Sequence, residues 1–158
     1  MSRGIFAIAA IVAFVACCLT DSFAAGSAQS LPAQMITIDS DRGPVHFRVE
    51  IAGDHDSQER GLMYRKSMPP DAGMLFDFHG LVETSFWMKN TYIPLDIVFI
   101  RADGTISSIA PMATPLSETP IPSGEPVRAV LEINGGRAAQ LGIEPGAKVH
   151  AAIFGNGR

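Results

Sequence analysis

The single tryptophan of the chain, Trp87, stands among residues able to make directional bonds: Lys89, Asn90 and Asp96 nearby, and Glu132 on a later segment. If Phe86 and Met88 face a core, strand alternation turns Trp87 and Lys89 to the opposite side. The bend at Pro94 can bring Asp96 back beside Asn90. An apolar platform with a few polar groups is how sites for small polar ligands are built. Sugar rings and bases both stack on such a platform. Arg65 adds a planar fork that can reach a buried carboxylate, Asp96 or Glu132, or an anionic ligand. The candidate ligand-binding set is therefore Arg65, Trp87, Lys89, Asn90, Asp96 and Glu132. The plainer arrangement has Trp87 packed under a long loop and Asp96 capping a backbone turn. Arg128 and Glu132 then form a same-face ion pair, and Arg65 sits against a helix C-terminus.

Weaker signals lie elsewhere. Gly135 and Gly136 open a helix after a strand, where free N–H groups can hold an anion. Met63, Met68, Met74, Met88 and Met112, with His79, raise Cu(I) binding, since thioether sulfur is a soft ligand. Their spacing is irregular, and core filling is the default use of methionine. Asp77 or Asp96 paired with Glu132 could act as acid and base on a glycan. The nucleophile-elbow and zinc-hydrolase motifs are missing, and the four histidines are scattered. Three functions follow. The first is a non-catalytic binding module for a small polar or saccharide-like ligand. The second is a carboxylate-dependent enzyme on cell-wall glycan, and the third is a structural or protein-interaction domain. The sequence implies no cofactor and no metal ligand set, and leaves the oligomeric state open.

Composition narrows the partners. The chain has 158 residues and a formal net charge of −4, with no basic run beyond Arg65-Lys66. Nucleic acid is disfavoured, because phosphate tracking needs clustered Lys and Arg. Hydrophobic residues at 47% and charged residues at 18% describe a globular chain of one domain. Residues 5–19 form an uncharged apolar run after Arg3, followed by small residues around Ala24. This pattern predicts a cleavable signal peptide over residues 1–25 and a secreted or periplasmic protein. The run is shorter than the roughly 20 residues a membrane span needs, so no stable span is expected after cleavage. Cys17 and Cys18 lie inside that segment, so the fold must stand without disulfides.

Positioning the polar residues falls to short strands. Residues 26–34 read as a disordered leader, and residues 35–158 as the folded domain. Residues 45–51 alternate, with Val45, Phe47, Val49 and Ile51 on one face, as in a half-exposed antiparallel strand. Asp54 or Asp56 offers an N-cap for a short helix near 57–63. Residues 84–89, 96–101 and 127–133 read as strands, the middle one buried on both faces. Asn134 caps a second short helix, which ends at Gly142 with Ile143 as its hydrophobic partner. Residues 148–154 close the domain as a strand. The expected fold is mainly β: a single-domain antiparallel sandwich or rolled barrel with two short helices.

Four segments carry a family resemblance: ERGLMYR at 59–65, GMLF at 73–76, SFWMKNT at 85–91 with IPLD at 93–96, and VLEINGG at 130–136. In order and spacing they resemble the DUF192 family of bacteria and archaea, whose members are often secreted. The resemblance runs over about residues 45–154. It implies a compact jelly-roll-like β fold and no established activity. Members often carry Gly-Asp before the last strand, where this chain has Gly146-Ala147-Lys148.

Overall fold

The computed structural model describes residues 31–157. The expected signal peptide and most of the expected leader lie outside them. Ala33 and Gln34, expected in the leader, instead open the first strand, β1 (Ala33–Ser40). The further elements are β2 (Gly43–Ala52), α1 (His55–Arg60), β3 (Ala72–Val82), β4 (Ser85–Phe86), β5 (Leu95–Ile100), β6 (Ile106–Ala113), β7 (Ile121–Pro122), β8 (Val127–Asn134), α2 (Arg137–Leu141) and β9 (Val149–His150). A single 3-10 turn, Ala152–Phe154, follows.

The fold is mainly β. One seven-stranded sheet runs in the order β6-β5-β8-β3-β2-β1-β9, and β4 pairs with β7 in a small separate ribbon. The large sheet curls far enough that one isolated bridge, Thr105 to Lys148, links the segments beside its two outermost strands. The result is a half-barrel. The purely antiparallel expectation fails at one place: β2 and β3 are parallel. Parallel neighbours need a crossover rather than a hairpin, and α1 with the turn after it supplies one. Asp54 caps α1 through its side chain, and the Ser57 hydroxyl closes the capping box.

Each face of the curled sheet buries its own apolar cluster. On one face Ile36, Ile38, Phe47, Val49, Leu75, Val98, Leu131 and Ile133 pack with Ala138 of α2 and with Ile143. On the other, Met74, Phe76, Ile97, Phe99 and Val130 pack under Leu62, Met88 and Phe86. Covering both faces makes β5 buried at every residue, as the apolar run at 97–100 predicts. β2 shows where the cover begins. Its outer residues His46 and Arg48 are exposed, Glu50 is half-buried and Ala52 is fully buried.

Two strands are shorter than their sequences suggest. β4 stops at Phe86, although the alternation persists: Met88 is buried and Trp87 is exposed. The closing strand ends at His150. Asn134 belongs to β8 and is no helix cap; its amide donates to the carbonyls of Met68 and Pro69. The N-cap of α2 is Gly136, in a left-handed conformation, while Gly142 ends the helix as expected.

Candidate functional site

Asp96 and Glu132 were expected to share a site, but strand register separates them. Asp96 lies opposite Ile133, and Glu132 lies opposite Ile97. Cross-strand partners point to the same face and sequence neighbours to opposite faces. Asp96 therefore faces the α2 side of the sheet, and Glu132 faces the α1 side.

Asp96 is completely buried and fully occupied. One carboxylate oxygen accepts the Met112 and Gly136 N–H groups at 2.9 and 2.8 Å. The other accepts the Ala138 N–H at 2.8 Å. These bonds answer the weaker expectation at Gly135 and Gly136. The Gly136 and Ala138 N–H groups hold the chain's own Asp96, whereas the Gly135 N–H, expected in the same role, donates to the Pro94 carbonyl at 2.8 Å. Gly135 passes against Pro94, where a Cβ would lie 2.9 Å from the proline side chain. That approach lets the start of α2 close over Asp96.

Arg65 reaches neither Asp96 nor Glu132. Its guanidinium binds Glu50 bidentately, at 2.5 and 2.7 Å. Arg128 likewise pairs with Asp77 and not with Glu132. Asp77 also accepts the His79 N–H. The Asp77–Glu132 and Asp96–Glu132 acid–base pairs are therefore not assembled. Lys89 lies 5.1 Å from the Trp87 ring centre, a cation–π contact within the chain. Asn90 donates to the Tyr64 hydroxyl at 3.0 Å, and its carbonyl accepts the Tyr64 N–H at 2.8 Å. Both residues have left-handed backbones, φ 56° and 65°. That conformation suits Asn and is uncommon for Tyr.

Glu132 has a different environment. It belongs to a cross-strand row of Glu50, Met74, Glu132 and Ile97. Its relative exposure is 5%. Among the described residues its carboxyl has no hydrogen-bond partner, yet it borders a cavity of about 310 Å³. Leu62, Met63, Phe76, Phe78, Phe86, Trp87 and Thr91 line the same cavity, with Glu59 and Arg60 also at its wall. Desolvation pushes the Glu132 carboxyl up to about 8, against a weaker opposing pull from the Arg65 charge. At neutral pH the group is mainly protonated, able both to donate and to accept a hydrogen bond.

The walls come from three places. Gly61, with φ 47°, lets the turn after α1 press on the Phe76 ring; a Cβ there would sit 3.2 Å from it. Gln58 ties α1 to the sheet through the carbonyls of Ala52 and Asp77. Phe86 stacks edge-on against Phe76, with ring centres 4.9 Å apart. Of the six candidate residues, the cavity brings together Trp87 and Glu132. Arg65, Lys89 and Asn90 stand in the surrounding shell, and Asp96 is across the sheet.

Sequence reasoning missed Glu50, Phe76, Phe78 and Thr91. Glu50 sat in a clean alternation with exposed His46 and Arg48, which hid the cover over its end of the strand. A second hollow, over β1, is lined by Thr37, Asp39, His46 and His150. Its imidazoles are engaged, His46 with Thr37 and His150 with Asp39. Among the described residues no cluster of three or more His, Cys, Asp or Glu is placed to hold a metal ion. Met74 and Met88 are buried as core filling. No helix among the described residues is long and apolar enough to cross a membrane.

Comparison with known proteins gives a consistent picture. The sequence profile of DUF192, described as an uncharacterized ACR, matches residues 36–151. A crystal structure of a protein described as a candidate transcription regulator, from Sinorhizobium meliloti 1021, is 45% identical. It aligns over 78% of this chain and 97% of its own, with a TM-score of 0.76. A protein of unknown function from Novosphingobium aromaticivorans DSM 12444 is 42% identical, over 79% of this chain and 89% of its own, with a TM-score of 0.76. No match was found among curated proteins.

Proposed function

With the chain belonging to the DUF192 family, whose description names no activity, we propose from its own residues that it is a non-catalytic binding module for a small polar ligand. The ligand enters between the α1 turn and Trp87, lays an apolar or ring face on the aromatic wall, and meets Glu132 with a polar group. Saccharide-like rings remain within this reading, because Trp87 offers a stacking surface. The observation that carries it is the carboxyl of a residue only 5% exposed, without a described protein partner, whose oxygens open onto an aromatic cavity rather than being sealed in the core. Natural folds satisfy buried polar groups, so such a group facing a cavity marks a place for something else to bond.

Binding is checked through the one tryptophan. Its fluorescence, with two-dimensional NMR, should respond saturably to members of a panel of monosaccharides, amides and alcohols at about 10 mM, the regime of weak small-ligand affinity. Shifts should concentrate at Phe76, Phe86, Trp87 and Thr91. A panel that leaves these resonances unmoved argues against the pocket as a binding site. Export belongs to the same proposal, supported by the apolar run at residues 5–19. Mass spectrometry of exported protein should find a new N-terminus between Ala25 and Ser30; an intact Met1 on membranes would overturn it.

A further inference from the structure

The binding reading leaves the charge of the ligand open, and the surroundings of Glu132 decide it. The described cations near the cavity floor are already committed. Arg65 is held by Glu50 and Arg128 by Asp77, and Lys89 rests over Trp87. From β3 and β5 the neighbours of Glu132 in its row are apolar, Met74 and Ile97. From β2 the facing charge is Glu50, neutralised by Arg65. From α1 the wall carries Glu59, which faces His55 at 3.9 Å, and Arg60, which has no described ion-pair partner; both are exposed to solvent. An ionised Glu132 is therefore the one buried charge here without a described counterion.

The walls have complementary chemistry. Phe76, Phe78, Phe86 and Trp87 line the cavity, and aromatic rings attract cations through the negative charge of their faces. Trp87 already carries an ammonium on its ring, that of Lys89. The other polar side chains of the lining, Gln58, Glu59, Arg60, Thr84, Ser85 and Thr91, leave Glu132 as the one buried acid there; the Gln58 amide is spent on the carbonyls of Ala52 and Asp77, and Glu59, Arg60 and Ser85 are exposed. An ammonium needs rings and one carboxylate, and the cavity has both.

We propose that the ligand is an organic cation, its ammonium seated against the Glu132 carboxylate among the aromatic rings, and that docking expels the Glu132 proton. This rests on the binding reading above and adds the chemical class and a proton linkage to it. The step balances simply. Neutral Glu132 and a cationic ligand become an ion pair, and one proton leaves to solvent. The raised affinity of the empty site for a proton is what the ligand must overcome, so binding tightens as pH rises towards 8.

Choline and its uncharged carbon isostere, dimethylbutanol, are suitable probes for the full chain. Both are titrated at pH 7 against Trp87 fluorescence, and calorimetry in buffers of different ionisation heat counts protons. Choline should bind at least about tenfold more tightly than the isostere and release about one proton. Glu132→Gln should fold, lose the preference for choline and release no proton. Equal binding of the two probes overturns the cation inference and leaves the binding reading standing. Preference for choline that survives Glu132→Gln overturns the assignment to Glu132. No response to either probe overturns the cation inference, and no response to the uncharged panel as well overturns the binding reading.

Discussion

Asp96 and Glu132 are both acidic, both buried and both on the central strands, yet they live under opposite conditions. Asp96 receives three backbone N–H groups across the α2 side of the sheet. Glu132, on the other face, receives none among the described residues and borders a cavity. Burial of a charge is costly unless hydrogen bonds or a counter-charge replace the lost water. Asp96 has that replacement and Glu132 lacks it. The first therefore serves as a structural anchor, tying Met112 near the end of β6 and the start of α2 to β5. The second has no such bonds among the described residues and faces a cavity of mixed aromatic and polar lining.

The contrast breaks most visibly at Asp96. Asp96→Ala orphans three backbone donors, that of Ala138 buried and those of Met112 and Gly136 part-buried, and should cost about 3 kcal/mol, read from urea unfolding. Asp96→Asn keeps acceptor capacity but turns an amide N–H2 on at least one donor, and should lose about half as much. A loss below about 1 kcal/mol for the alanine variant would make Asp96 a bystander, since surface substitutions fall in that range.

Glu132 should behave in the reverse sense. Its ordinary value is 4.5, and in the folded protein it is pushed up to about 8. Below pH 4.5 both folded and unfolded chains keep the proton. Between 4.5 and 8 the folded chain keeps it while the unfolded chain releases it. This contribution to stability is therefore full at acid pH and is lost as pH rises to 8, by an amount on the order of 4 kcal/mol. Glu132→Gln should remove that slope and stabilise the protein at pH 8. Parallel wild-type and variant melting curves from pH 5 to 8 would contradict the picture.

The smallest effect belongs to the partly exposed Arg65–Glu50 pair, whose side chains are 34% and 29% exposed. Solvent screening limits Arg65→Gln to about 1 kcal/mol. The same variant sharpens the comparison through Glu132. Removing a nearby cation and freeing Glu50 should move the Glu132 titration to still higher pH, measurable by carboxyl-carbon NMR. A downward move would mean that Arg65 does not act on Glu132.

Much of this architecture was legible in residue patterns. The apolar run at residues 97–100 of β5 announced a strand buried on both faces, and Gly142-Ile143 announced the end of α2. Of the two caps offered for α1, Asp54 is the one used, and the helix begins two residues earlier than expected and ends at Arg60 rather than Met63. The parallel pairing of β2 with β3 was not legible, because alternation in β2 says which residues share a face but not which strand lies beside it. The site was half legible. Trp87 and Glu132 could be singled out by residue type, but Asp96 could be removed from the set only by a one-residue register difference between β5 and β8. Period-two geometry makes that difference absolute. The pairing of Arg65 with Glu50 depends on the cover over the end of β2, which comes from a distant turn.

The Thr105–Lys148 bridge has a consequence for how this protein meets its neighbours. β6 and β9 are the outermost strands of a seven-stranded sheet, and open edges recruit strands from other molecules. Here curvature brings the two edges together. The Ile106 N–H donates to Ala147, and the Val149 N–H donates to Gly104. Further along β6, Pro111 has no N–H to offer, and the Met112 N–H is spent on Asp96. β9 is two residues long. At β6 and β9 the sheet thus presents little template for edge-to-edge pairing with another molecule.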